Sequence, residues 1–123
     1  MAKEKVAVIG GTGFLGASLV LQLLEAGFRP VAIARRPERI AQALPGVEVE
    51  ARQGDLVDID SLRSALQGCN AVYCVAAMME EIYTSRNPNY REDAIRTNVE
   101  GTLNALRAAV ERGIRRAVVT STS

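Results

Sequence analysis

The strand-like run Val6-Ala7-Val8-Ile9 leads directly into Gly10, Gly11, Gly13 and Gly16, and a helix-forming stretch follows from Ala17 to Ala26. No other feature restricts the fold of this chain so much. A buried strand that turns through glycines into a helix presents backbone N–H groups and the positive helix end to an anion, commonly a phosphate. The spacing reads in two ways, as Gly11-x-Gly13-x-x-Gly16 or as the wider Gly10-x-x-Gly13-x-x-Gly16. Either reading needs a turn free of Cβ clashes, close backbone approach to a pyrophosphate and tight helix–strand packing. A nucleotide is the expected ligand. A glycine-rich turn with no ligand would leave so many glycines in so short a segment unexplained.

Downstream, strand and helix alternate. Phe14–Ala26 is predicted as a helix with Leu15, Leu19 and Leu23 on one face and Gly27 as its left-handed stop. Further strands are predicted at Val31–Ala34, Val47–Ala51, Ala71–Ala76 and Ala117–Thr120. A short helix with proline in its first turn spans Pro37–Leu44 and is broken by Pro45-Gly46. Asp58 or Asp60 caps a helix running to Leu66, ended by Gly68. Glu80 to Arg91 is polar and irregular, and a long helix, Asp93–Arg112, stops at Gly113. Repeated βα units joined by short turns imply one α/β domain over residues 1–123. Its expected core is a doubly wound parallel sheet of order 3-2-1-4-5 with helices on both faces.

Composition narrows the function classes. Of the 123 residues 48% are hydrophobic, enough for a sizeable core, and the formal charge is +1 with no long basic run. Nucleic acid is therefore not an expected partner. No apolar stretch approaches the roughly 18 residues of a membrane span and no signal-peptide pattern is present, so a cytoplasmic protein without a membrane partner is expected. The chain has no histidine, which removes Ser-His-Asp and Cys-His catalysis and His-ligated metal sites within it. Cys69 and Cys74 fit neither a redox CxxC nor a zinc pattern and are expected to be reduced residues in or beside a strand.

The cofactor type is legible at the end of the second strand. NAD-binding folds place an acidic residue about 20 positions beyond the glycines, to bind the ribose 2′-OH. Here Arg35 stands 19 past Gly16, Arg36 follows, Arg39 lies one helical turn on, and no carboxylate occurs from Phe28 to Pro37. Guanidinium groups at that place suit the 2′-phosphate of NADP. NADP(H) is the preferred cofactor and NAD(H) the alternative; surface arginines with no ligand are the plainer reading.

With these motifs the chain resembles the extended branch of the short-chain dehydrogenase/reductase superfamily. It is closest to the NAD(P)-dependent epimerases, dehydratases and reductases of the dihydroflavonol-reductase-like and 3β-hydroxysteroid-dehydrogenase-like kind. The glycine turn is similar to that family's GxxGxxG, Gly54-Asp55-Leu56 to its segment after the third strand, and Val75-Ala76-Ala77 to its segment after the fourth. Asn98-Val-Glu-Gly-Thr102 resembles its Asn-Val-x-Gly-Thr, and Val119-Thr-Ser-Thr-Ser123 its fifth-strand end. The resemblance implies a Rossmann-like fold and a cofactor site formed by Gly10, Thr12, Gly13, Phe14, Leu15, Gly16, Arg35, Arg36, Asp55, Leu56, Val75, Ala76 and Ala77. Asp55 would meet the adenine amine, although a turn residue bonding its own backbone is an equal reading. Asn98 would hold a backbone group and a water near the active site. Thr122, or failing it Ser123 or Ser121, would supply the hydroxyl that orients the substrate.

The resembled family also uses a Tyr and a Lys in Tyr-x-x-x-Lys, the Tyr as general acid/base. This chain contains no such segment: its tyrosines are Tyr73, Tyr83 and Tyr90 and its lysines Lys3 and Lys5. It is therefore expected to be the incomplete, cofactor-binding half of a larger NADP-dependent oxidoreductase, inactive by itself. The parent would act on a small-molecule carbonyl or hydroxyl substrate. A non-catalytic NADP(H) sensor and a nucleotide-sugar epimerase or dehydratase are the alternatives. The loop Met78–Tyr90 would border the substrate. Leu103, Leu106, Val110 and Ile114 form an apolar stripe that would either pack on the sheet or pair helix 93–112 with that of a second copy. With the fifth strand at a sheet edge, self-association or marginal stability is expected of the chain alone.

Overall fold

The computed structural model describes residues 3–11, 13–75 and 90–120, with the backbone alone at residues 90, 91 and 93–97. Five strands, β1 (Lys5–Ile9), β2 (Arg29–Ala34), β3 (Glu50–Gln53), β4 (Ala71–Cys74) and β5 (Arg116–Val119), form one sheet of order β3-β2-β1-β4-β5. Every pairing is parallel. The connecting helices are α1 (Phe14–Glu25), a 3₁₀ turn at Pro37–Arg39 leading into α2 (Ile40–Ala43), α3 (Ile59–Ala65) and α4 (Tyr90–Glu111). The expected doubly wound order is thus the observed one.

Period-two alternation in the central strands explains why both faces are covered. Ala7 and Ile9 of β1 and Val31 and Ile33 of β2 pack with Leu62, Ala65 and Leu66 of the α3 region and with Ala105, Ala108 and Ala109 of α4. Val6, Val8, Ala32 and Ala34 point the other way, onto Val20 and Leu23 of α1 and onto Ile40 and Leu44. Small residues on α4 let that helix lie close to the sheet, while Val8, Val20, Ile33, Leu62 and Leu66 are fully enclosed. Burying one such side chain is worth about 1.5–3 kcal/mol. Gly27 ends α1 with φ +89°, as expected of a left-handed stop.

Three expectations need correction. The third strand lies at Glu50–Gln53 rather than Val47–Ala51. Val47 and Val49 instead pack under the sheet from the connection, so the alternation marked a buried approach rather than the ladder. On α1 the buried positions are Gly16, Val20 and Leu23, with Gly16 set against Gly10 and Gly11, whereas Leu15 is 53% exposed. Ile114 lies beyond the end of α4 in the core, whereas Leu103, Leu106 and Val110 are exposed, with Val99 beside them. The two cysteines are buried and not joined in a disulfide, and burial pushes the Cys69 thiol up, away from the reactive thiolate.

Candidate nucleotide-binding site

Because all strands run one way, their carboxyl ends fall at one end of the sheet. Ile9 aligns with Ile33 and with Cys74, Ala34 with Gln53, and Cys74 with Val119. The segments after these residues, from Gly10, Arg35, Gly54, Val75 and Thr120, therefore emerge side by side. β1 is also where the winding reverses, with β2 to one side and β4 to the other. Open α/β sheets bind ligands at that point.

The glycine turn is built around the carbonyl of Gly10. Gly10 has φ +100°, a conformation that side chains rarely adopt, and its N–H donates to the Ile33 carbonyl at 2.9 Å. Its own carbonyl accepts from Gly13 N–H at 3.1 Å. A Cβ on Gly16 would stand 2.0 Å from that same oxygen. The wider reading Gly10-x-x-Gly13-x-x-Gly16 thus describes one interlocked unit, while Gly11 packs against Ala32. Gly13 is the N-cap of α1; among the described residues no side chain caps it, and no acidic residue lies in the first turn. With no side-chain cap among the described residues, the first amides of this twelve-residue helix suit an external acceptor, and the missing Cβ of Gly13 lets a phosphate come close. This chain's own backbone therefore fits the pyrophosphate of a dinucleotide. Phe14 is 95% exposed beside it.

At the end of β2, Arg35, Arg36 and Arg39 are exposed, and no carboxylate among the described residues forms an ion pair with them. Next to them Gly54 N–H donates to the Ala34 carbonyl at 3.0 Å, tying the turn after β3 to the end of β2. In that turn the Asp55 Oδ1 accepts from Val57 N–H at 3.1 Å, so the local turn bond expected of an Asp is present. Asp58 caps α3, its Oδ1 accepting from the N–H groups of Asp60 and Ser61. Leu56 and Asp55 are both half-buried.

Val75 follows β4 and, with Leu15, Leu19, Tyr73, Val118 and Thr120, lines an apolar groove between α1 and the β4–β5 part of the sheet. Asn98 is half-buried on α4. Thr12, Ala76, Ala77, Ser121, Thr122 and Ser123 lie outside the described residues, as does most of the loop Met78–Tyr90. Sequence reasoning missed two supports of the Asp55 turn. Ser61 Oγ accepts from Asp55 N–H at 2.9 Å, and Asn104 Nδ2 donates to the Leu56 carbonyl at 2.8 Å. Gly101 in the middle of α4 was the available signal, since glycine inside a helix often marks a close approach.

Comparison with known proteins agrees with this geometry. A family model described as NAD(P)H-binding matches residues 10–123, and the chain belongs to that family. Among curated relatives, dihydroflavonol 4-reductase of Zea mays is 33% identical over 98% of this chain and 35% of its own length. A 3 beta-hydroxysteroid dehydrogenase/Delta 5-->4-isomerase of Mycobacterium tuberculosis is 37% identical over 97% and 32%. Among solved structures, a short-chain dehydrogenase/reductase superfamily protein of Agrobacterium tumefaciens with bound NAD aligns at TM-score 0.75 and 31% identity, over 97% of this chain and 33% of that one. An NADPH-dependent quinone oxidoreductase of Escherichia coli complexed with NADPH aligns at TM-score 0.70 and 28% identity, over 94% and 36%. The chain spans about a third of the length of the relatives it matches. These likenesses place it within the short-chain dehydrogenase/reductase superfamily, on the side of its reductases and epimerases.

Proposed function

We propose that this chain is the NADP(H)-binding part of an oxidoreductase of the extended short-chain dehydrogenase/reductase type. The parent moves a hydride between the nicotinamide and a carbonyl or hydroxyl of a small-molecule substrate. The observation that carries the reading is the juxtaposition, at one end of the sheet, of a glycine turn and an arginine cluster that have, among the described residues, neither a side-chain cap nor a carboxylate partner. The turn supplies amides for the pyrophosphate, with Gly10, Thr12, Gly13, Phe14, Leu15 and Gly16 around it. Arg35 and Arg36 hold the 2′-phosphate, Asp55 and Leu56 border the adenine, and Val75, Ala76 and Ala77 line the adenosine side. Thr122, with Ser121 and Ser123 as neighbours of the same kind, orients the substrate oxygen, and Asn98 supports that end of the site. This chain holds no Tyr-x-x-x-Lys to move the proton and is inactive alone.

Two copies pair through α4. Val99, Leu103, Leu106 and Val110 are all exposed and recur at the spacing of a helix–helix seam, while alanines occupy the sheet-facing side.

Titration of wild-type and Arg35→Ala chains with NADP+ and NAD+ tests the cofactor reading. A bidentate guanidinium–phosphate contact is worth about 1.5–3 kcal/mol, so NADP+ affinity falls at least about tenfold while NAD+ affinity changes little. Equal NADP+ affinity in the two proteins refutes it.

A further inference from the structure

The Asp55–Leu56 corner is gripped from two helices, and only one of the grips is local. On the near side Ser61 of α3 accepts from Asp55 N–H and its hydroxyl donates to the Asp58 carbonyl at 2.7 Å. On the far side stands α4, 48 residues away in sequence, where the side-chain amide of Asn104 donates to the Leu56 carbonyl. One turn earlier on the same helix Gly101 is buried against Leu56, and a Cβ there would lie 2.7 Å from the Leu56 Cβ and 3.2 Å from its Cδ1. Glycine is a poor helix former, so its place in mid-helix goes with this approach. Between the two grips the Asp55 carboxylate is oriented by Val57 N–H.

We infer that Asn104 and Gly101 are positioning residues for recognition of the adenine. By fixing the Leu56 carbonyl and side chain against α4, they hold the Asp55 carboxylate where it selects a 6-amino purine. The inference rests on the reading of Asp55 as the adenine contact. A donor amide that is already directed at a loop carbonyl leaves the turn one fewer way to rotate, and a rigid acceptor discriminates better than a mobile one.

Affinities of the wild-type chain for NADP+ and for its hypoxanthine analogue, in which a carbonyl replaces the adenine amine, provide the test. The wild type prefers the adenine form by about tenfold, the worth of one hydrogen bond to a charged group. Asp55→Asn keeps the acceptor for Val57 but adds a donor, and it erases or inverts that preference. Asn104→Asp places a carboxylate oxygen against the Leu56 carbonyl and reduces the preference to about threefold or less. Gly101→Ala, which leaves Asn104 intact, does the same. General destabilisation weakens both ligands alike and leaves the ratio unmoved. If Asp55→Asn loses the preference while Asn104→Asp and Gly101→Ala retain it, the positioning role is overturned and the Asp55 reading stands. If Asp55→Asn retains it, the Asp55 reading itself falls, and the inference with it.

Discussion

A methyl group added at position 16 places a Cβ 2.0 Å from the carbonyl oxygen of Gly10 and 2.8 Å from its carbonyl carbon. Restoring an ordinary contact of 3.4 Å requires the two backbones to part by about 1.4 Å. Both belong to rigid elements, since Gly10 is bonded to β2 through Ile33 and Gly16 is buried in the first turns of α1. Overpacking of this kind costs about 1–3 kcal/mol. The displacement also strains the Gly13-to-Gly10 hydrogen bond, worth about 1 kcal/mol. Gly16→Ala should therefore lose about 2–4 kcal/mol, a large part of a typical stability, and melt roughly 8–16 °C lower. Gly13→Ala is the paired control. There a Cβ meets the Gly10 oxygen at 3.5 Å and φ is −78°, so alanine fits and costs only about 1 kcal/mol as a poorer N-cap. Its methyl does stand where a pyrophosphate would approach the backbone, so its NADP+ affinity should fall about tenfold or more. Calorimetry and ligand titration of both variants separate the two roles of the turn. A Gly16→Ala chain melting within about 2 °C of the wild type would refute the steric argument. A Gly13→Ala chain with wild-type affinity would refute the pyrophosphate assignment.

Three other outcomes follow from the contacts. Asp58→Ala removes the acceptor for two first-turn amides of α3 and should cost about 0.5–2 kcal/mol by urea melt, while Asp58→Asn should retain most of it. The hydrogen bond and charge of Arg63 hold the Glu111 carboxyl below its usual range, as Arg52 does for Glu50. Stability from a depressed carboxylate is complete above about pH 4.5 and is lost as pH falls through the folded value. Glu111→Gln should therefore flatten the acid limb of a stability–pH curve, and so should salt; an unchanged slope would show the pair to be inert. On the exposed stripe of α4, Leu103→Glu should abolish concentration-dependent association in sedimentation while leaving the melting of the monomer within about 0.5 kcal/mol. A wild-type chain that is monomeric at every concentration would remove the dimer proposal.

Local chemistry was sufficient for the frame. Alternation of strand and helix runs, glycine stops such as Gly27 and the handedness of crossovers led to the order 3-2-1-4-5, because each depends on neighbours a few residues apart or on general chirality. The glycine turn was legible for the same reason, since its geometry depends on its own backbone. Tertiary structure decided what depends on partners distant in the chain. It moved β3 from Val47–Ala51 to Glu50–Gln53, because register is set by pairing with β2 rather than by alternation alone. It divided the apolar residues of α4, turning the alanines to the sheet and leaving Val99, Leu103, Leu106 and Val110 outside, a choice that periodicity cannot make when both faces are apolar. It also showed that Gly10, Gly13 and Gly16 meet at one carbonyl, and that Asn104 reaches across 48 positions to Leu56. A sequence records which residues are able to make such contacts; only folding brings distant ones within reach of each other.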